Sequence, residues 1–226
     1  MILFIFLIKK NLMIKIKSFI GRIHPEGWKF FLILFTGSLL FLNLLIPISI
    51  IGFIFSFFTL WFFRDPDRET PYGHNLVISS ADGRVCLIDK AYPPAEVGMD
   101  SNQMLRICVF MNVFNVHINR SPIRGNIENI FYKKGHFFNA SLDKASEKNE
   151  RSSMVIKSNA GKKLVVVQIA GLIARRIVSF VSDGKNLDAG EKFGLISSAL
   201  GLIYTCHLVR LFSVVLVIRL LLEFLY

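Results

Sequence analysis

The apolar residues of the chain are concentrated in two stretches, one near each end. The first runs from Phe30 to Phe63 and carries no charged residue. About 20 apolar residues already span the hydrocarbon core of a bilayer as a helix, so this stretch is predicted to be embedded in a membrane. It is too long for one untilted helix and has Pro47 near its middle. This leaves a hairpin of two shorter helices or one kinked span, and we favour the hairpin.

Between the two stretches the pattern changes to short β-branched runs, separated by glycine or polar turns. Such spacing predicts a β-rich domain. A charged segment bounded by prolines connects this domain to the membrane stretch and is predicted to be a linker. The expected fold class is therefore α+β, with a mainly β domain preceded by an N-terminal membrane-embedded helical hairpin. The expected segments are 1–29 (basic, amphipathic), 30–63 (membrane helices), 64–74 (linker), 75–196 (β-rich domain) and 197–226 (apolar tail).

The net charge of +11 allows two classes of partner, nucleic acid and anionic lipid. Lipid is favoured, because basic residues cluster just before the membrane stretch and each contributes about 1 kcal/mol near an anionic leaflet. The domain also lacks the basic and aromatic stripe of a nucleic-acid binder. We therefore expect a cytoplasmic-side location at the inner membrane and no nucleic-acid partner. The basic residues are Lys9, Lys10, Lys15, Lys17, Arg22 and Lys29.

The extreme N-terminus does not have the order of a cleaved signal peptide. Its apolar run precedes the lysines, and no small-residue cleavage site follows. An interfacial amphipathic helix and a start-site extension both remain open for this segment. The three cysteines, Cys86, Cys108 and Cys206, have neither metal-site spacing nor an even number for disulfides. We interpret them as reduced packing residues and predict no metal site.

Four residues in the β-rich domain could carry chemistry. Asp82 precedes Gly83 and is either a turn residue or a functional carboxylate. His117 is either a structural residue at a strand end or an acid–base group, because imidazole titrates near neutral pH. Arg175 and Arg176 could hold a phosphate or carboxylate through paired donors, or could form a basic edge facing solvent or membrane.

Taken together and in order, the motifs resemble the short-form phosphatidylserine decarboxylase proenzymes. The resemblance covers Ile23 to Ile196 and rests on "IHPEGWKFF", "FFRDPDRETP", "SSADGRV", "VFMNVFNVHINRSPIRG", "NASLDKASEKNERSS", "VVVQIAGLIARRIV" and "GEKFGLI". It implies that the proenzyme cuts itself at a Gly-Ser bond and that the serine becomes a pyruvoyl group. That covalent cofactor is the electron sink while phosphatidylserine loses carbon dioxide to give phosphatidylethanolamine.

The resemblance also implies a role for two of the candidate residues. Asp82 and His117 fall on the family's positions for the base system that activates the serine. The large and small fragments are expected to form a heterodimer after cleavage. The membrane stretch fits a lipid substrate, whose head group is met at the bilayer surface.

The family pattern ends at Ile196, where a basic residue and then Phe-Gly-Ser-Arg are expected. The chain continues with "SSALGLIYTCHL" and has no Gly-Ser pair downstream; Ser197 and Ser198 are the nearest serines, but they follow Ile196. Synonymous codons for Ile196 to His207 exist that, in another frame, encode Lys-Phe-Gly-Ser-Arg-Val-Asp-Ile-Tyr-Leu-Pro. We therefore expect that a single-base frameshift produced the tail 197–226. The chain as written is then expected to form no pyruvoyl group and to be inactive.

Two alternatives are kept. The tail from Leu208 could be a true transmembrane helix, although Arg210, Arg219 and Glu223 would be costly at membrane depth. The protein could also be a non-catalytic, membrane-bound lipid-binding module. Its lipid binding would then depend on salt and be indifferent to Asp82→Asn and His117→Ala.

Overall fold

A computed structural model describes residues 22–43, 45–71, 73, 76–99, 103–137, 148–171, 176–197 and 207–213. Predictions about residues 1–21, Arg175, Ser198 and Cys206 lie outside these ranges. Within them, two helices are followed by antiparallel sheets. This arrangement confirms the α+β, mainly β fold class.

The N-terminal hairpin consists of helices α1 (Pro25–Leu40) and α2 (Ile46–Phe62). Helix α1 begins at a proline, and the imidazole of His24 caps it by accepting a hydrogen bond from the amide of Glu26 at 3.4 Å. Pro47 lies in the first turn of α2, where it removes no helical hydrogen bond. The two-helix prediction is therefore confirmed and the single kinked span is wrong. Neither described helix combines the length and the apolar character needed to cross a membrane.

The two ends of the hairpin lie side by side. Strand β1 (Arg22–Ile23) pairs antiparallel with strand β2 (Arg64–Asp65), and the amide of His24 donates to the carbonyl of Phe63 at 2.9 Å. Phe62 and Phe63 are fully buried at this base, in a cluster with Val116, Ile118 and Leu195 of the β domain. The hairpin therefore leaves the β domain and returns to it at one place.

Ten further strands follow in the described residues. The strands are β3 (Arg84–Ala91), β4 (Met104–Met111), β5 (Ile118–Arg120), β6 (Gly125–Lys133), β7 (Arg151–Ser158), β8 (Lys163–Ile169), β9 (Arg176–Ser179), β10 (Asn186–Leu187), β11 (Lys192–Ser197) and β12 (His207–Ser213). They form a seven-stranded sheet in the order β10-β6-β7-β8-β12-β4-β3 and a three-stranded sheet in the order β5-β11-β9, with every pairing of these strands antiparallel.

The large sheet is covered by apolar clusters on both faces. Alternate residues of β4 point to opposite sides, so that Ile107 and Val109 join one cluster and Cys108 joins the other. Phe193 and Ile196 of β11 belong to the first of these clusters, which therefore joins the small sheet to the large one. The strand that ends just before the expected cleavage position is thus anchored in the main core.

Strand β12 lies in the middle of the large sheet, between β4 and β8. Val209, for example, is opposite Val109 on one side and Gln168 on the other. The alternative of a transmembrane helix beginning at Leu208 is therefore wrong for residues 207–213, which form a strand. The remainder of the tail lies outside the described residues.

A partly buried ion pair fastens the 3₁₀ turn Ala95–Val97 to β7. The Arg151 guanidinium donates to both carboxylate oxygens of Glu96 at 2.5 and 2.6 Å, and the Ser153 hydroxyl donates to the same group at 3.1 Å. Burial alone disfavours the carboxylate, but these hydrogen bonds outweigh it and hold the pKa of Glu96 below its ordinary value of 4.5. The pair therefore stabilises the fold above that value, and its contribution is lost as the pH falls through the lowered pKa.

We expect Glu96→Gln to lower the free energy of unfolding at neutral pH by about 1–3 kcal/mol, because it removes the charge that satisfies Arg151. The loss should shrink at acid pH, where the carboxyl of the unsubstituted protein is itself protonated. Denaturant titrations in detergent, followed by circular dichroism, measure both. Glu128→Gln is the control, because Glu128 pairs with the more exposed Lys157 and Lys163; its effect should be below about 1 kcal/mol. An equal loss for Glu96→Gln at both pH values would contradict the prediction.

Candidate active site

Asp82 lies in the loop before β3, and its carboxylate is held from two sides. One of its oxygens accepts hydrogen bonds from the amide of Val116 at 3.1 Å and from the guanidinium of Arg68 at 3.3 Å. Gly83 lets this loop approach β4, since a Cβ at this position would lie 2.2 Å from the carbonyl oxygen of Phe110. The side chains of Asp82 and Arg68 remain partly exposed, at 38% and 42%. Asp82 therefore reaches both solvent and the segment that carries His117.

His117 is fully buried at the base of the hairpin. Its imidazole stacks on the ring of Phe62, with centroids 3.9 Å apart and planes inclined by 26°. The residue before it, Val116, is the one whose amide the Asp82 carboxylate holds. The loop of Asp82 and the end of α2 together fix the position of the histidine.

The end of strand β11 lies next to His117. The amide of Ile196 donates to the carbonyl of His117 at 3.2 Å. The following residue, Ser197, is buried at the end of β11 and lies opposite Arg176 of β9. The structure thus places Asp82, His117 and Ser197 on three adjacent segments, although they are far apart in the sequence.

Comparisons with known proteins agree with one another. Residues 55–202 match the family model described as phosphatidylserine decarboxylase. A protein of Ruegeria pomeroyi named phosphatidylserine decarboxylase proenzyme is 50% identical over 182 residues, which cover 79% of this chain and 82% of the relative. The chain belongs to the phosphatidylserine decarboxylase family. It is a family of carboxy-lyases, so the three segments above belong to an enzyme fold.

Sequence reasoning missed a buried chain of polar side chains behind the loop that carries Asp82. Gln168 of β8 donates to the side-chain oxygen of Asn119 at 2.8 Å, and the Asn119 amide group donates to the carbonyl of Ser80 at 3.3 Å. Both side chains are almost completely buried. These bonds link the centre of the large sheet to the loop that carries Asp82. The available signal was Gln168 itself, a polar residue within the otherwise apolar run of β8.

A second missed feature is an ionic clamp that fixes the hairpin exit. Asp65 of β2 pairs with Lys192 of β11 and with Arg120 of β5. The Arg120 guanidinium also donates to the carbonyls of Gly190 and Pro66, both at 3.1 Å. The segment 64–74 was predicted to be a linker, yet its first two residues form β2 and Asp65 holds both neighbouring strands of the small sheet.

Arg64 connects the hairpin directly to the loop before His117. Its guanidinium donates to the carbonyl of Trp61 at 3.0 Å and to the carbonyl of Phe114 at 2.5 Å, and it lies 4.3 Å from the centre of the Trp61 ring. Burial lowers the pKa of Arg64, and the nearby Asp82 carboxylate opposes that shift. Arg64 therefore positions the backbone three residues before the candidate base.

Of the other predicted residues, Arg176 lies beside this arrangement and the cysteines have other environments. Arg176 is exposed on β9, opposite Ser197 of β11. The hydrogen bond from Lys29 lowers the pKa of Glu26, and the charge of Arg176 adds to that effect. Cys108 is fully buried, as expected of a packing residue. Cys86 is exposed on β3, so its interpretation as a packing residue is wrong.

Proposed function

We propose that the activity to which the fold of this chain belongs is the conversion of phosphatidylserine to phosphatidylethanolamine, with a pyruvoyl group formed by self-cleavage of a proenzyme. The observation that carries the proposal is the meeting of three segments. The Asp82 carboxylate binds the amide of Val116, and the carbonyl of His117 binds the amide of Ile196. In this arrangement His117 acts as the base that takes the proton of the attacking serine, and Asp82 orients the segment that carries it.

The residues of the chain as written do not fit the formation of that group. Ser197 follows Ile196 and not glycine. Its backbone lies in β11, paired with Arg176 of β9. No step of the decarboxylation is therefore assigned to Ser197. We propose that the chain as written neither cleaves itself nor turns over substrate.

The register of β12 supports the frameshift hypothesis. Arg210 is the residue opposite Cys108 on β4 and Val167 on β8, and both of these side chains are buried in the same apolar cluster. A central strand covered on both faces normally carries apolar residues. An arginine at this register position is unexpected for an evolved strand and consistent with out-of-frame sequence.

The same topology supports a two-fragment enzyme. A cut after β11 would leave β12 on the smaller fragment, while its neighbours β4 and β8 stay on the larger one. The two fragments would then share one continuous sheet. We therefore propose that they remain associated after cleavage as a heterodimer.

The test compares the chain as written with a chain in which Lys-Phe-Gly-Ser-Arg follows Ile196 in the alternative frame. We expect the first to migrate as one uncut polypeptide and to release no carbon dioxide from carboxyl-labelled phosphatidylserine. The second should give two fragments and release carbon dioxide. A cut near Ile196 in the chain as written would overturn its predicted inactivity and assign the role to Ser197 or Ser198.

The frameshift has its own test in the DNA that encodes Gly194 to His207. An alternative frame that does not encode Phe-Gly-Ser-Arg would refute it.

We further propose that the hairpin is embedded in the cytoplasmic leaflet of the inner membrane. Its outer surface is apolar, with exposed side chains such as Ile51, Ile54 and Phe57. Ser38, Ser49, Ser56 and Thr59 are buried between the helices and the β domain, and the hydroxyls of Ser38 and Ser56 donate to carbonyls of their own helix at 2.7 Å. The exposed Thr36 hydroxyl also donates to a carbonyl of its own helix, that of Leu32 at 2.7 Å. Polar groups inside and apolar groups outside are the distribution that a lipid environment favours.

A further inference from the structure

The loop Asn112–Asn115, between β4 and His117, has a fixed shape that its own asparagines maintain. The amide of Asn112 donates to the side-chain oxygen of Asn115 at 2.8 Å, and the amide of Phe114 donates to the side-chain oxygen of Asn112 at 2.9 Å. The Arg64 guanidinium holds the carbonyl of Phe114 at 2.5 Å. The backbone of this loop is therefore fastened on both sides.

This fixed loop presents a large aromatic side chain to solvent. Phe114 is 64% exposed, although its backbone is held in place. A fastened loop that exposes a phenylalanine leaves apolar surface in water, which is unfavourable. The polar side chains of the loop are used to shape it, and Phe114 remains available for a contact outside the β domain.

The apolar surface of Phe114 is continuous with that of the hairpin. Its ring meets Phe58 of α2 edge-on, with centroids 6.1 Å apart. Phe57, the neighbour of Phe58, is 58% exposed and belongs to the outer apolar face of the helix. Any apolar phase that surrounds the C-terminal part of α2 therefore also reaches Phe114.

The charges near this surface favour an anionic lipid surface over a neutral apolar partner. Arg68, partly exposed, binds the same Asp82 oxygen that holds Val116, two residues after Phe114. Arg22 is exposed in β1, and Lys29, which pairs with Glu26 at 3.0 Å, is well exposed in the second turn of α1. Basic groups at the base of an apolar hairpin are placed where lipid head groups would lie.

We propose that the loop Asn112–Asn115 is a second membrane contact, in which Phe114 enters the phospholipid bilayer beside the hairpin. The proposal rests on the membrane embedding of the hairpin proposed above. It extends that embedding to the β domain, because the contact would hold the backbone of His117 at the level of the head groups, where a phospholipid substrate presents its serine. Arg64 then couples the membrane contact to the site.

The test places an NBD fluorophore at introduced cysteines in a chain whose Cys86 and Cys206 are replaced by serine, while the fully buried Cys108 is retained and is shielded from the label. Phe114→Cys reports the loop, and Leu40→Cys, at an 81% exposed residue, reports the hairpin tip. Asn159→Cys is the matched control, because the turn between β7 and β8 lies at the opposite end of the large sheet from Met111 and the loop. Each labelled full-length protein is reconstituted in vesicles of equal parts phosphatidylglycerol and phosphatidylcholine.

We expect lipids with doxyl-labelled acyl chains to quench the probe at residue 114, and iodide in the buffer not to reach it. The probe at residue 40 should behave in the same way, and the probe at residue 159 should show the reverse. Lipid quenching at residue 40 alone would overturn the inference but would still support the membrane embedding of the hairpin. Absence of lipid quenching at residues 40 and 114 would overturn both the embedding and the inference.

Protein–protein contact gives a different result. If a second copy of the chain or another protein covers Phe114, the probe at residue 114 is protected from iodide but is not quenched by doxyl lipid. That outcome also overturns the inference. Melting curves of the labelled variants show whether each retains the fold.

Discussion

In the chain with the restored Gly-Ser bond, we expect His117→Ala to slow self-cleavage about a thousandfold, as for the loss of a general base. The structure supports this expectation because His117 is buried and its carbonyl binds the amide of Ile196, four residues before the serine of the restored bond. Purified uncut protein is incubated, and the appearance of the two fragments is followed on gels over time. Carbon dioxide release should fall in proportion to the uncut fraction.

Asp82→Asn separates charge from position in the same experiment. The amide oxygen of asparagine can still accept the hydrogen bond from Val116, so the loop is retained while the negative charge is lost. We expect cleavage to slow about a hundredfold if the carboxylate supports a developing imidazolium. His136→Ala is the control, because this histidine is exposed and lies outside β5, β11 and β9 of the small sheet. Unchanged cleavage in His117→Ala, with the fold intact, would contradict the assignment of the base.

Local signals explain the parts of the fold that the sequence could predict. The charge-free run Phe30 to Phe63 and the position of Pro47 were enough to predict two helices, because a proline belongs in a first turn. Glycine and polar turns were enough to predict a β-rich domain. The sheet order was not predictable in the same way, since β12 pairs with β4 across about a hundred residues, and no local pattern specifies such a partner.

The site shows the same division. The family motifs identified Asp82 and His117 as candidates, but not how they meet, which depends on hydrogen bonds to Val116 and from Ile196. Arg64 was assigned to a charged linker, because a charged residue beside a proline is typical of an exposed segment. Its burial follows from tertiary contacts with Trp61 and Phe114. Membrane seating of the hairpin stays a prediction.

We expect Arg64→Ala to lower the free energy of unfolding by about 2–3 kcal/mol, because the carbonyls of Trp61 and Phe114 lose a charged donor in a buried place. In the restored chain it should also slow self-cleavage about 10-fold to 100-fold, since the loop before His117 loses the bond that positions it. Arg64→Lys should recover part of the stability but little of the rate. A single ammonium does not reproduce a planar guanidinium that reaches two carbonyls and stacks on Trp61.

Val165→Ala separates positioning from general destabilisation. Val165 is fully buried in the apolar cluster that contains Cys108, on the face of the large sheet away from Phe193. Its truncation should lower the free energy of unfolding by an amount similar to that of Arg64→Ala. At a temperature where both variants are folded, only Arg64→Ala should slow the cut. The hydrogen bond to Phe114 would then act on the reaction through the position of His117. Equal cleavage rates in the two variants would show instead that Arg64 stabilises the base of the hairpin without positioning His117.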